Sequence, residues 1–276
     1  MKKIFISLLS ILLALSAAGC GYSGKKSSGN TSIKETTPIT SEATVTEITS
    51  ISTNQVATSP LFVEKSKIEE TVNDDDGSVL INASFELPVI KNENNSPEIQ
   101  KINDYFKKAS DEYFERLRAK KQEVKEDKSL NSGNFPVYVY NRTFEVTYNK
   151  SGLLSILQLD YVNLGGAHPS TERVAKTFDI TTGEAVNITD ILKGTDKEIN
   201  DMIAQAFNKI VTEKPDDFFD TAKDTIADGN PYGGFYLTDH SIMFFYQTEV
   251  LAPYAFGYPE FGIAYTNSEK FNRVME

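Results

Sequence analysis

One cysteine, Cys20, in 276 residues most constrains what this chain can fold into. No internal disulfide can form, so any folded part must be held together by its apolar core. The residues around that cysteine carry an address. Lys2 and Lys3 precede an apolar run from Ile4 to Leu15 and small residues from Ser16 to Gly19, the three parts of an export signal. A membrane-spanning helix needs about 20 apolar residues, whereas this run is shorter and is interrupted by Ser7 and Ser10. Residues 1–19 are therefore expected to be a cleaved signal.

The stretch Leu15 to Cys20 resembles the bacterial lipobox, with Ala17 where that motif most often has Leu. The resemblance implies that the Cys20 thiol takes a diacylglyceryl group, with palmitate-type acyl chains, and becomes the first mature residue. One acyl chain holds a protein on a bilayer only marginally, at about 0.8 kcal/mol per buried methylene, whereas two or more give stable anchoring. An extracytoplasmic, lipid-anchored protein is the expectation, and an ordinary secretory signal beside a free thiol is the alternative. Residues 20–60 are read as the lipidated cysteine and a Ser/Thr-rich tether. They have few large apolar residues and no periodicity, so they cannot bury enough surface to offset their ordering entropy.

The formal charge is −11. Lys2 and Lys3 leave with the signal and the tether's three lysines offset its three glutamates, so the folded part carries about −13. Nucleic acid and anionic lipid surfaces would be repelled, while a cationic protein would be steered in. The same charge also serves plain solubility.

From Leu61 onward, strand runs and helices alternate in blocks without a regular βαβ order, which predicts an α+β fold. Residues 61–164 form the first half. Phe62–Val72 and Val79–Ile90 flank the turn Asn73-Asp74-Asp75-Asp76-Gly77 and predict a hairpin. Ser96-Pro97-Glu98 then opens one long helix striped by Ile99, Ile102, Phe106, Ala109, Tyr113 and Leu117, with the charges beyond Leu117 solvated. Phe135–Tyr148 and Leu153–Leu164 predict two more antiparallel strands. Residues 165–276 form the second half. Arg173–Ile180 reads as a strand, Thr195 and Glu198 as a capping box before a second helix packed on strands, and Gly234–Leu237, Ile242–Gln247 and Gly262–Thr266 as its strands.

Two segments are more specific. One is Gly165-Gly166-Ala167-His168-Pro169, followed by Thr177 to Gly183 and Ile188 to Leu192. The other is Phe235 to Thr238, leading into Leu251-Ala252-Pro253-Tyr254-Ala255-Phe256-Gly257 and Phe261. Together they resemble the paired domains of unknown function in the ectodomain of the lysozyme-sensing anti-sigma factor of Gram-positive bacteria. The same pair precedes the catalytic domain of some peptidoglycan deacetylases and occurs in stand-alone lipoproteins. The resemblance covers roughly Phe62 to Tyr265. The anti-sigma proteins' cytoplasmic sigma-binding segment and spanning helix have no counterpart here, nor does the deacetylases' catalytic domain with its metal-ligand histidines. The resemblance therefore implies the module alone, as an exported binding module.

Gly165, Gly166 and His168 read first as a structural turn, since glycine permits positive φ and Pro169 holds His168 extended. Partner contact is the other reading. Tyr254, Phe256 and Tyr258, with Phe261, either plug one end of the sheet or present aromatic anchors able to grip a protein or stack on sugars. Asp74, Asp75 and Asp76 read as a solvated turn. No GxSxG elbow, HExxH pair or P-loop occurs, and His168 and His240 are the only histidines, so neither catalysis nor a cofactor or metal is expected. The functional expectation is a non-catalytic envelope module that binds or inhibits a cationic lysozyme-type muramidase. A peptidoglycan-binding module is the alternative, followed by a cell-wall hydrolase.

Overall fold

A computed structural model describes residues 59–131, 135–229 and 232–275. The expected signal peptide, Cys20 and nearly all of the tether lie outside the described residues. Alternating apolar residues and a turn glycine at φ +84° fold β1 (Val63–Asn73) and β2 (Val79–Ile90) into the expected hairpin. Ile81, Ala83 and Phe85 point from β2 into the core. Ser96 caps α1 (Pro97–Ala119) by accepting the Ile99 N–H at 3.2 Å. Asn103 ties the helix to β2, accepting the Ile90 N–H at 2.8 Å and donating to its carbonyl at 2.9 Å.

The expected stripe holds except at Ala109, where Ser110 takes the buried position instead. The helix runs two residues past Leu117, the last residue of that stripe. It breaks at Lys120, and α2 (Lys121–Leu130) follows, burying Val124 alone. Its lysines are not simply solvated. Lys128 reaches Asp74 at 2.8 Å and Lys125 reaches Asp75 at 2.6 Å, so the hairpin turn is clamped to α2. Asp75 and Asp76 stay exposed, in keeping with a solvated turn, whereas Asp74 is largely covered by its lysine partners, which local sequence cannot supply because they lie some fifty residues downstream. The Lys128 hydrogen bond, then that from the Asp75 N–H, holds the Asp74 carboxyl down to about 2. A depressed carboxyl contributes stability that is complete above its ordinary value of 3.8 and is lost as pH falls towards about 2. An NMR titration of Asp74 should give that low midpoint, and Lys128→Met should return it towards 3.8.

The helices cross over to β3 (Tyr138–Lys150), which pairs with β2 in parallel, although the sequence suggests antiparallel strands throughout. A helical crossover makes that direction available. The parallel pairing runs only from Ile81 to Phe85 on β2. Beyond it Pro88 has no N–H to offer β3, and the Glu86 carboxylate accepts the Phe144 N–H at 3.4 Å. Then β4 (Leu153–Asn163), β5 (Ser170–Asp179) and the short β6 (Glu184–Ala185) complete a six-stranded sheet in sequence order, antiparallel apart from the β2–β3 pair. On its helix-covered face the buried Arg142 of β3 and the partly buried Asp160 of β4 form a two-point ion pair, with the guanidinium over the rings of Phe85 and Tyr113.

A bulge skips Thr147 between Val146 and Tyr148 and turns Tyr148 to the opposite face. There, with Leu153, it joins a second core. That core is built by α3 (Ile188–Ile191), α4 (Asp196–Glu213), α5 (Ala222–Ala227) and a three-stranded antiparallel sheet of β7 (Gly234–Leu237), β8 (Ser241–Phe245) and β9 (Glu260–Ala264). The Thr195–Glu198 capping box opens α4 as expected, and Ile199, Ile203, Phe207 and Val211 are its buried face. Ser155 of β4 joins the two sheets, its hydroxyl accepting the Thr177 hydroxyl at 3.0 Å and the Leu237 N–H at 3.1 Å. Among the described residues no helix is long and apolar enough to cross a membrane.

Candidate functional site

The loop joining β4 to β5 carries Gly165 to Pro169. Gly165 lies at φ +75°, donates its N–H to the Asn163 side chain at 2.8 Å, and approaches Pro136 so closely that an added Cβ would meet the ring at 2.3 Å. Its glycine identity thus has a packing cause. Gly166 has neither constraint, since an added Cβ there meets nothing closer than 3.9 Å. His168 extends from this loop, its Nδ1 3.0 Å from the Pro169 carbonyl oxygen.

The second motif follows β8. Leu251 and Ala252 are fully buried and anchor the segment, after which Tyr254–Phe256 forms one 3-10 turn ended by Gly257 at φ +82°. The two motifs meet. The His168 and Tyr254 rings stack with centroids 4.4 Å apart and planes 19° from parallel. Glu249 stands 4.0 Å from His168 Nε2, with both side chains about half exposed. Phe256 is exposed on one side and packs on Phe218 at 5.0 Å on the other.

Residues with no obvious motif bring the loops together. The Gln247 amide accepts the Arg173 N–H at 2.9 Å and donates to the Arg173 carbonyl at 2.7 Å, while the Thr248 hydroxyl donates to the Thr171 carbonyl at 3.2 Å. The Arg173 guanidinium lies 4.1 Å over the Tyr258 ring and pairs with Glu260 at 2.5 Å. Burial pushes the Tyr258 hydroxyl up, as it does that of Tyr236, which also donates to Glu260 at 3.2 Å. Glu172, beside Arg173, is raised by desolvation and then by the Asp160 carboxylate.

Of the sequence candidates, His168, Tyr254 and Phe256 share one accessible junction, Tyr258 lies beneath Arg173, and Gly165 and Gly166 shape the loop. Phe261 instead packs inward at 5.0 Å from Phe207. Arg173, Gln247, Glu249 and Glu260 were not visible as site residues, because each acts on a partner remote in sequence. Glu249 has one local sign, a positive φ of 62° in a residue other than glycine. Among the described residues, no group of three or more His, Cys, Asp or Glu side chains is placed to hold a metal ion.

Residues 73–171 match the family described as "Deacetylase PdaC", and residues 189–266 match the "Protein of unknown function (DUF3298)" family. A search of curated proteins finds no match. A crystal structure of a DUF3298 family member from Bacteroides fragilis superposes with a TM-score of 0.59 at 20% identity, covering 78% of this chain and 94% of that one. A DUF3298 family protein from Pseudomonas aeruginosa gives 0.50 at 18% identity, covering 77% and 94%. At those identities the likeness is one of fold.

Proposed function

We infer that this chain, a PdaC-type domain followed in tandem by a DUF3298 domain, is a non-catalytic binding module of the bacterial cell envelope, held on the membrane by a lipid at Cys20. Its partner is a cationic protein, with lysozyme-type muramidases the best-suited class, and capture or inhibition is the outcome. The observation that carries this reading is the docking of two distant motifs into one exposed junction, where the His168–Tyr254 stack stands beside the Glu249 carboxylate. Ring surface beside an acidic group suits a basic protein surface, and the overall negative charge favours encounter with it. The resemblance to the lysozyme-sensing ectodomain supports the same class of partner. The glycan-binding alternative rests on Phe256, because Tyr254 and Tyr258 each have a ring face covered by His168 or Arg173.

A soluble form carrying Cys20→Ser should bind a cationic lysozyme saturably, more tightly at low salt than at physiological salt. His168→Ala combined with Glu249→Gln should weaken that binding about tenfold. The melting temperature should change little, since a ring pair contributes about 0.5–1.5 kcal/mol. Absence of saturable binding at either salt concentration would sink the reading.

A further inference from the structure

Three described residues other than glycine have a positive φ, and Glu249 is the one with a long side chain. Asn95 takes φ 52° at little cost, and Ser151 takes φ 51° in the two-residue turn Ser151-Gly152 between β3 and β4. Glu249 holds φ 62° because the chain is pinned on both sides of it. Before it, Gln247 and Thr248 are bonded to the β5 backbone at Arg173 and Thr171; after it, Leu251 and Ala252 are fully buried. Glycine would meet the same constraint without strain. The carboxylate gives the fold nothing in return, since it accepts no hydrogen bond among the described residues. Strain kept at an exposed acidic side chain points to a use outside the fold.

His168 supplies a second, independent observation. Its Nδ1 lies 3.0 Å from the Pro169 carbonyl oxygen, which can only accept, so Nδ1 carries the proton. In the neutral ring Nε2 is then a bare acceptor. It faces Glu249 Oε1, another acceptor, at 4.0 Å. The Tyr254 ring stacks on one face of the imidazole and fixes its plane. Both sides of the gap are about half exposed, so a group from outside can enter it. Two acceptors facing each other call for one shared donor, and the carboxylate selects a cationic donor over a neutral one.

We propose that a cationic N–H group of the partner, a lysine ammonium or an arginine guanidinium, seats between His168 Nε2 and Glu249, and that a proton on His168 competes with it. Either group carries several N–H donors, so one meets the ring nitrogen and another the carboxylate. When the imidazole is charged, its own Nε2–H donates to Glu249 and the place is taken. Among the described residues Glu249 is the one charged group against His168 and Tyr254 the one other titratable group, so proton and ligand compete there alone. The class of partner rests on the capture reading above, whereas the donor slot does not.

The test uses the soluble Cys20→Ser chain with His240→Gln, which leaves one imidazole to observe. Imidazole nitrogen NMR at about pH 8 should find His168 protonated on Nδ1 alone, and the opposite tautomer overturns the proposal. Nα-acetyl-lysine methylamide and Nα-acetyl-arginine methylamide, added separately, distinguish the two sources of the cation. At least one should move the Nε2 resonance saturably, binding about tenfold more weakly at about pH 5.5. No saturable shift by either, or an equal shift by the uncharged norleucine counterpart, overturns the proposal. Glu249→Gly should abolish the shift and raise the melting temperature by about 2 °C. A lower melting temperature would make Glu249 a structural group and overturn its role. With a cationic lysozyme, binding should weaken about tenfold over the same pH interval, and His168→Gln should lose that dependence. Parallel profiles overturn the slot as the partner's site. Failure of the parent to bind lysozyme, with a small probe still seated, removes the capture reading and leaves the slot standing.

Discussion

Arg142→Met should lower folding stability by about 3–5 kcal/mol, read as a fall in the urea midpoint with little change in slope. The expected loss comes from what the substitution leaves behind. Asp160, which is mostly shielded from solvent, would keep its charge without the guanidinium that meets both of its oxygens, and an uncompensated desolvated charge costs more than the pair itself contributes. The guanidinium also lies within about 5 Å of two ring centroids, at 5.2 Å from Phe85 and 5.1 Å from Tyr113, so its removal loses packing as well as charge. Desolvation is the largest single influence on Arg142 and opposes its charge, but the Asp160 hydrogen bonds and the attraction of the Asp160 charge together outweigh it, and the guanidinium is held more firmly protonated than usual. Replacing both partners with apolar residues should therefore restore much of the loss. If Arg142→Met alone shifts the midpoint by less than about 1 kcal/mol, the pair is solvated in solution and its burial is not a stability determinant.

Phe207→Ala in α4 should cost a similar amount, about 3–5 kcal/mol, because the ring is fully enclosed in the second core. It meets Tyr246 edge-on at 4.7 Å and Phe261 at 5.0 Å, so truncation leaves a cavity whose walls are themselves large rings and collapse poorly. The form of the transition is as informative as its size. The two cores share strands β3 and β4, with Tyr148 and Leu153 facing one and Phe144, Leu154 and Ile156 the other. Damage to either core should therefore lower one common transition seen by circular dichroism and tyrosine fluorescence alike. Two resolved steps in Phe207→Ala would show instead that the Ser155 bridge is too weak to couple the layers.

Local signals in the sequence were enough for the hairpin, the capped starts of α1 and α4, and the strands that follow, because caps, turn residues and alternation act within a few residues. What stayed hidden depends on distant partners. The end of α1 at Ala119 has no Pro or Gly to mark it, and α2 is held by aspartates of the β1–β2 turn. The parallel β2–β3 pairing is a matter of crossover and not of composition. At the site, the resemblance pointed to both loops, but their contact depends on Gln247 and Arg173, whose pairing spans 74 residues. Gly165 and Gly166 look equivalent in the chain, yet only Gly165 faces Pro136 closely enough to require its lack of a side chain.

The Gln247 clamp has a consequence for copies of the protein that meet at high local concentration. Along the stretch of β5 that the two-residue β6 leaves uncovered, one amide side chain occupies the outward N–H and carbonyl of Arg173 and fills the place that the backbone of a neighbouring strand would take. The opposite border of the sheet, β1, is instead studded with Glu64, Lys65, Lys67, Glu69 and Glu70, a pattern that resists edge-to-edge pairing. One border is plugged and the other is charged. Crowded molecules are thus discouraged from joining their sheets into aggregates.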